Sequence, residues 1–120
     1  MYVIGGPGAV SVGVFNDLRV LKPFVSRLSG ADRYATAVEV AETFFGASDF
    51  AYLANGTSFP DALAAGPLAG QLGAPLYLSP GTCTKAETQS DIIRVLANGV
   101  VGVGGPAVLS DQALSGPACS

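Results

Sequence analysis

Residues 50–72 read FAYLANGTSFPDALAAGPLAGQL, an apolar run followed by a polar turn and a run rich in alanine and glycine. The apolar run at 50–54 predicts a buried strand. Ser58 lies three residues before an aspartate, and Pro60 lies near the first helical position, so both predict a helix start. The stretch therefore predicts a strand, a turn and a helix over 60–72.

Apolar runs recur about every 25 residues, the spacing of a strand, a turn and a crossover helix. Helical periodicity lies between them at 34–45, ending at Gly46, and at 85–96, while Pro67 is expected to bend or shorten the helix at 60–72. We predict an α/β fold, a three-layer parallel sheet of about five strands with helices on both faces. The runs are 2–4, 25–28, 50–54, 75–78 and 100–103. In the last helix the residues expected to face inward are Ile92, Ile93, Val95 and Leu96.

Composition limits the function classes. The chain has 120 residues, 49% of them hydrophobic, which suits one domain with an ordinary core. Six Lys and Arg are scattered in a chain of net charge −3, so nucleic acid is not an expected partner. No apolar run reaches the roughly 18 to 20 residues of a membrane span, so no membrane insertion is expected. The chain has no histidine, so we expect no metal, no cofactor and no histidine-based catalysis.

The two cysteines lie in turns rich in glycine, proline and serine. Buried thiols usually occupy apolar strands or helices, so Cys83 and Cys119 are expected to form a disulfide in an oxidising compartment. The alternative is two unrelated free thiols. Two lone cysteines without a histidine do not complete a zinc site.

One turn sequence occurs twice. At a constant offset of 99 residues, the segment 4–7 matches 103–106, and Ser11 matches Ser110. From its length, the chain of residues 1–120 is interpreted as a single domain. Within it, 25–115 is one full repeat and 2–18 resembles the tail of a preceding one.

The candidate ligand residues follow the strands, because ligands of parallel α/β folds gather outside the carboxyl ends of the strands. Arg33 could pair with Asp61 or Asp32, or offer its guanidinium to a phosphate or carboxylate. Tyr34 could stack on a sugar ring or edge the core. Asp61 could cap its helix, and the Gly-Gly-Pro turns are interpreted as strand-ending structure. The five candidates are Arg33, Tyr34, Asn55, Phe59 and Asp61.

Three separated motifs carry a resemblance to a known family. They are RLSGADRYATA at 27–37, NG at 55–56 followed by FPDALAAGPLA at 59–69, and VGGP at 103–106 followed by Ser110. In this order they resemble the cell-wall-binding repeat 2 family over about residues 25 to 115. The resemblance implies a Rossmann-like or Toprim-like fold without catalysis.

The family resemblance also implies a location and partners. It implies a secreted bacterial surface protein, extracellular at the cell wall, held non-covalently by an anionic polymer such as a teichoic-acid-like chain or a secondary wall polysaccharide. Family members usually carry three repeats that associate as a pseudo-threefold trimer, so this single repeat is expected either to form a homotrimer or to belong to a tandem array. A chain of net charge −3 must concentrate its few cations, such as Lys22, Arg27 and Arg33, to bind an anion.

Two other functions remain open on the sequence. One is a hydrolase acting on wall glycan or a phosphate ester, centred on Asp61, although no second carboxylate accompanies it. The other is a purely structural oligomerisation module.

Overall fold

Strands and helices alternate along the described residues of the computed structural model. It describes residues 1–95 and 98–120, and every side chain among them except that of Phe59. The predicted α/β class is confirmed, with five strands. The elements are β1 (Tyr2–Ile4), α1 (Val12–Leu21), β2 (Ser26–Leu28), α2 (Arg33–Phe44), β3 (Phe50–Asn55), α3 (Phe59–Gln71), β4 (Leu76–Ser79), α4 (Ala86–Arg94), β5 (Gly99–Val103) and α5 (Asp111–Ser115).

The strands divide between two parallel sheets. The larger has the order β4-β3-β5, with Asn55 beside Ser79 and Ala54 beside Val103 at its carboxyl edge. The smaller contains β1 and β2, with Ile4 beside Leu28. Strand spacing predicts parallel strands but does not say which strands pair. The division into two sheets is therefore new information from the structure.

The central strand β3 is covered on both faces, as predicted. Ala51 and Leu53 point into a core built with α2, α4 and α5, and both are buried. Tyr52, the residue between them, packs against Ala69 of α3 on the other face. Successive side chains of β3 therefore contribute to the cores on opposite faces of the sheet.

The helices differ from the expectations in three places. Helix α3 continues through Pro67 to Gln71, so Pro67 does not shorten it. Pro67 and Leu63, whose carbonyl lacks its usual amide donor, are both exposed residues. In α4 the expectation for Ile93 is wrong, since it is 72% exposed while Val95 is fully buried. Leu96 lies outside the described residues. Helices α1 and α5 are not indicated by periodicity, because α1 exposes apolar residues on several sides and α5 has five residues.

A buried polar cluster joins β4, α2 and α4. The Tyr77 hydroxyl, fully buried, donates to Asp91 Oδ2 at 2.6 Å. Arg94 forms an ion pair with Asp91 and donates to the Phe45 carbonyl at 3.0 Å. Burial, followed by the hydrogen bond to Asp91, raises the pKa of Tyr77 far above its ordinary value. The cluster therefore holds a neutral phenol between a carboxylate and the core.

Candidate functional site

A cleft of about 540 Å³ lies between the loops that follow β1 and β2. One wall is the glycine-rich loop 5–9, and the other is the turn 30–33, which begins α2. Val40 and Leu78 add apolar surface to it. The cleft lies outside the carboxyl ends of parallel strands, where ligands of α/β proteins usually bind. It is called the cleft from here on.

The loop wall of the cleft is held by Arg27 of β2. Its Nη1 donates to the Gly5 carbonyl at 2.6 Å and to the Val10 carbonyl at 2.9 Å, while the guanidinium lies 4.8 Å from the centre of the Phe15 ring. Gly5 has φ +114°, a conformation that side chains rarely adopt. Arg27 is therefore a positioning residue for this loop.

The opposite wall is fixed by hydrogen bonds inside the turn. Asp32 Oδ1 caps α2 by accepting from the Ala35 amide at 2.8 Å. Thr36 Oγ1 accepts from the Gly30 amide at 3.0 Å and donates to the Asp32 carbonyl at 2.8 Å. The turn thus holds Arg33, an exposed cation, beside the cleft.

The expected ion pair between Arg33 and Asp61 or Asp32 is wrong for the described side chains. The Arg33 guanidinium donates instead to the Gly56 carbonyl. Asp32 is turned towards α2 as its cap, and the Asp61 carboxylate lies against Gly104, 2.7 Å from where a Cβ on that glycine would stand. Neither carboxylate therefore pairs with Arg33, and the acceptor for its guanidinium is the backbone oxygen of Gly56.

The remaining candidates lie around the carboxyl edge of β3 but not in the cleft. Tyr34 is half-buried against Gly56, with Lys85 Nζ 5.8 Å from its ring centre. Asn55 is buried and donates to the Val108 carbonyl at 2.6 Å. The Phe59 side chain lies outside the described part of the structure. Arg33 and Tyr34 thus both contact Gly56, while Asn55 and Asp61 contact the loop after β5. Of the candidates whose side chains are described, Arg33 alone lines the cleft.

The cations expected to gather for an anion are separated. Lys22 ends α1 and does not line the cleft, and Arg27 is occupied by two carbonyls. The cleft lining also includes four glycines that are not among the five candidates, Gly5, Gly6, Gly8 and Gly30. For Gly5 and Gly6 the sequence signal is the repeated Gly-Gly-Pro turn.

The described ranges also bear on metal binding and on membrane insertion. In the described ranges 1–95 and 98–120, no group of three or more Cys, Asp or Glu side chains is placed to hold a metal ion. Within the same ranges, no helix has the length and apolar character that crossing a membrane requires.

Comparison with known proteins identifies the family. The family model described as "Cell wall binding domain 2 (CWB2)" matches residues 27–114. The chain belongs to this family. CWB2 membership confirms the resemblance and indicates association with the cell wall or cell surface.

Two relatives support the CWB2 assignment. N-acetylmuramoyl-L-alanine amidase LytC of Bacillus subtilis is 36% identical over 90 residues, 74% of this chain and 18% of LytC. The structure of Cwp8 from Clostridium difficile matches with a TM-score of 0.79 and 27% identity over 93% of this chain and 18% of Cwp8. The chain therefore spans about a fifth of the length of each of these relatives.

Proposed function

We propose that this CWB2 chain is a non-catalytic module that holds a secreted surface protein to the bacterial wall by binding an anionic wall polymer in the cleft. The observation that carries the proposal is the family match over 27–114, which includes the turn 30–33 at one wall of the cleft. The amidase activity in the name of LytC is not transferred, because the shared segment is 18% of that protein and the family model describes binding.

The charges around the cleft attract an anion only weakly. Arg33 supplies a cation at the rim, and the amino-terminal end of α2 adds a partial positive charge. Asp32 also lines the cleft, although its carboxylate accepts the Ala35 amide. One exposed cation against one capped carboxylate gives weak attraction. We therefore expect weak, salt-sensitive binding by a single copy.

Association of several repeats would raise the apparent affinity. A wall polymer is a repeating chain, and each additional cleft on the same assembly rebinds it at a high effective concentration. We propose a homotrimer or a tandem pseudo-trimer as the binding form. The presence of one full repeat and the tail of another in this chain supports such an arrangement.

The polymer proposal predicts an effect of Arg33→Gln on binding. We expect roughly a tenfold to hundredfold loss of affinity for purified wall teichoic acid, because a charge-assisted hydrogen bond contributes roughly 1.5 to 3 kcal/mol. Affinity of the unmodified chain should also fall as salt rises. Titration calorimetry at two salt concentrations measures both effects.

Arg19→Gln is the matched control, since Arg19 is exposed on α1 and does not line the cleft. It removes the same charge and should leave the affinity unchanged. A neutral wall polysaccharide serves as the second probe. Equal losses for the two variants, or equal binding of charged and neutral polymers, would count against the proposal.

A further inference from the structure

The two Gly-Gly-Pro loops have the same backbone structure. Gly5 and Gly104 both have φ +114°. In the first loop the amides of residues 9 and 10 donate to the Gly6 carbonyl, and in the second those of 108 and 109 donate to the Gly105 carbonyl, all at 2.9 Å. Ser11 and Ser110 then cap α1 and α5 in the same way. The units β1-α1 and β5-α5 are therefore two copies of one structural element.

The two copies pair with different neighbouring strands. The first is flanked by β2, whose Arg27 donates to the Gly5 carbonyl. The second is flanked by β3, whose Asn55 donates to the Val108 carbonyl. Superposing the two copies gives one element with β3 on one side and β2 on the other. Among the residues that the structure describes, each copy therefore has one of these two neighbours.

The hydrogen-bonding pattern identifies the open edge of β5. The Tyr52 amide bonds the Pro75 carbonyl beside β4, so alternation directs Ala51 and Leu53 to β5. In a parallel ladder with Ala51 beside Val100, Ala51 bonds residues 99 and 101 of β5. The backbone groups of residues 100, 102 and 104 therefore point away from β3, to the outer edge. At the offset of 99, these correspond to residues 1, 3 and 5.

The corresponding groups in the first copy are the ones that bind β2. The Met1 carbonyl accepts from the Ser26 amide at 3.0 Å, and the Gly5 amide donates to the Leu28 carbonyl at 2.9 Å. The outer edge of β5 therefore presents the same groups, in the same phase, as the edge of β1 that β2 already occupies. An open edge of this kind is a template for a further strand.

We propose that the open edge of β5 receives β2 from a second copy of this repeat. The register follows from the pairs in β1 and β2: Val101 lies beside Ser26 of the second copy, and Val103 lies beside its Leu28. Arg27 of the second copy then donates to the Gly104 carbonyl, as Arg27 does to Gly5 within the chain. The result is a four-stranded parallel sheet, β4-β3-β5-β2, with its last strand from the second copy.

In the exchange β2 leaves a two-stranded sheet, which is marginal alone, and joins a three-stranded one, while β1 gives up its pairing with β2. Its backbone bonds to β1 are replaced by equivalent bonds to β5. The exchange also brings the turn 30–33 of the second copy against the loop 104–108, which rebuilds the cleft at the joint. This inference rests on the association of repeats proposed above, but not on polymer binding.

Mixed cross-linking of full-length chains tests the register. A Ser26→Cys chain is mixed with a Val101→Cys chain and oxidised without polymer, and disulfide-linked heterodimers are measured by mass. A Ser90→Cys chain replaces the Val101→Cys chain as the control, because Ser90 is exposed on α4 and has no place in the proposed strand pairing. Tyr2→Cys with Ser26→Cys in one chain reports the intramolecular pairing.

The expected result is a several-fold higher heterodimer yield for 26 with 101 than for 26 with 90, with each variant melting as a folded chain. Equal yields, or no heterodimer for 26 with 101, would overturn the proposed joint. Because no polymer is present, that outcome would not contradict polymer binding, which is tested separately by the calorimetric titration.

Discussion

Removing the disulfide by the paired change Cys83→Ser and Cys119→Ser should lower the free energy of unfolding by about 4 kcal/mol. The structure confirms the bond, which joins residues 36 apart. It fastens the carboxyl-terminal segment, where Ala118 pairs with Thr84 and the Cys119 amide donates to the Thr84 carbonyl at 2.9 Å. Without it the unfolded chain gains entropy and this segment loses its attachment. Urea unfolding with and without reductant measures the change.

Reduction of the unmodified chain is the matched comparison, because it breaks the same bond without changing a residue. The reduced chain and the double variant should unfold at the same, lower urea concentration. The double variant itself should not respond to reductant. An unfolding midpoint that stays unchanged after reduction would contradict the predicted contribution of the bond.

Asp91→Ala should lower the free energy of unfolding by about 3 kcal/mol, because a buried charged group is removed from between its partners. Asp91 is 3% exposed and accepts from the fully buried Tyr77 hydroxyl at 2.6 Å. Its loss leaves that hydroxyl without its acceptor and Arg94 without its ion pair. The raised pKa of Arg94, caused first by its hydrogen bond to Asp91, agrees with this pairing. Urea unfolding again measures the effect.

Glu87→Ala is the matched control for Asp91→Ala, since Glu87 is an exposed carboxylate in the first turn of the same helix. It should change stability by less than about 0.5 kcal/mol. Similar losses of unfolding free energy for the two variants would show that Asp91 stabilises the fold no more than an exposed carboxylate on the same helix does.

The raised pKa of Tyr77 gives the same cluster a pH signature. The folded state keeps the phenolic proton at a pH where the unfolded chain, with an ordinary tyrosine pKa near 10, releases it. Stability contributed by Tyr77 is therefore complete below about pH 10 and is lost as the pH rises above it. Tyr77→Phe should flatten this alkaline loss.

The fold class could be predicted because apolar runs at strand-and-helix spacing leave few arrangements other than a parallel α/β sheet. The partners of the strands could not, because β1 and β5 carry nearly the same turn yet pair with different strands. Pairing depends on contacts between residues far apart in the chain, and neither periodicity nor composition records them.

Arg33 was singled out because it is a cation that follows a strand, and the structure places it beside the cleft, while its role in binding stays a prediction. The ion pair considered for Arg33 does not form, since its guanidinium donates to the Gly56 carbonyl instead. The glycine wall was undervalued because glycine carries no side-chain chemistry. The burial of Asp91 was missed because a charged residue in a helix is usually exposed.

A map of backbone amide chemical shifts during titration with wall teichoic acid tests polymer binding in the cleft. We expect shifts concentrated at the walls of the cleft, at Gly6, Gly8, Gly30 and Arg33, with little change along exposed positions of α4 such as Glu87 and Ser90. Shifts concentrated on α4, with the cleft amides unmoved, would contradict binding in the cleft.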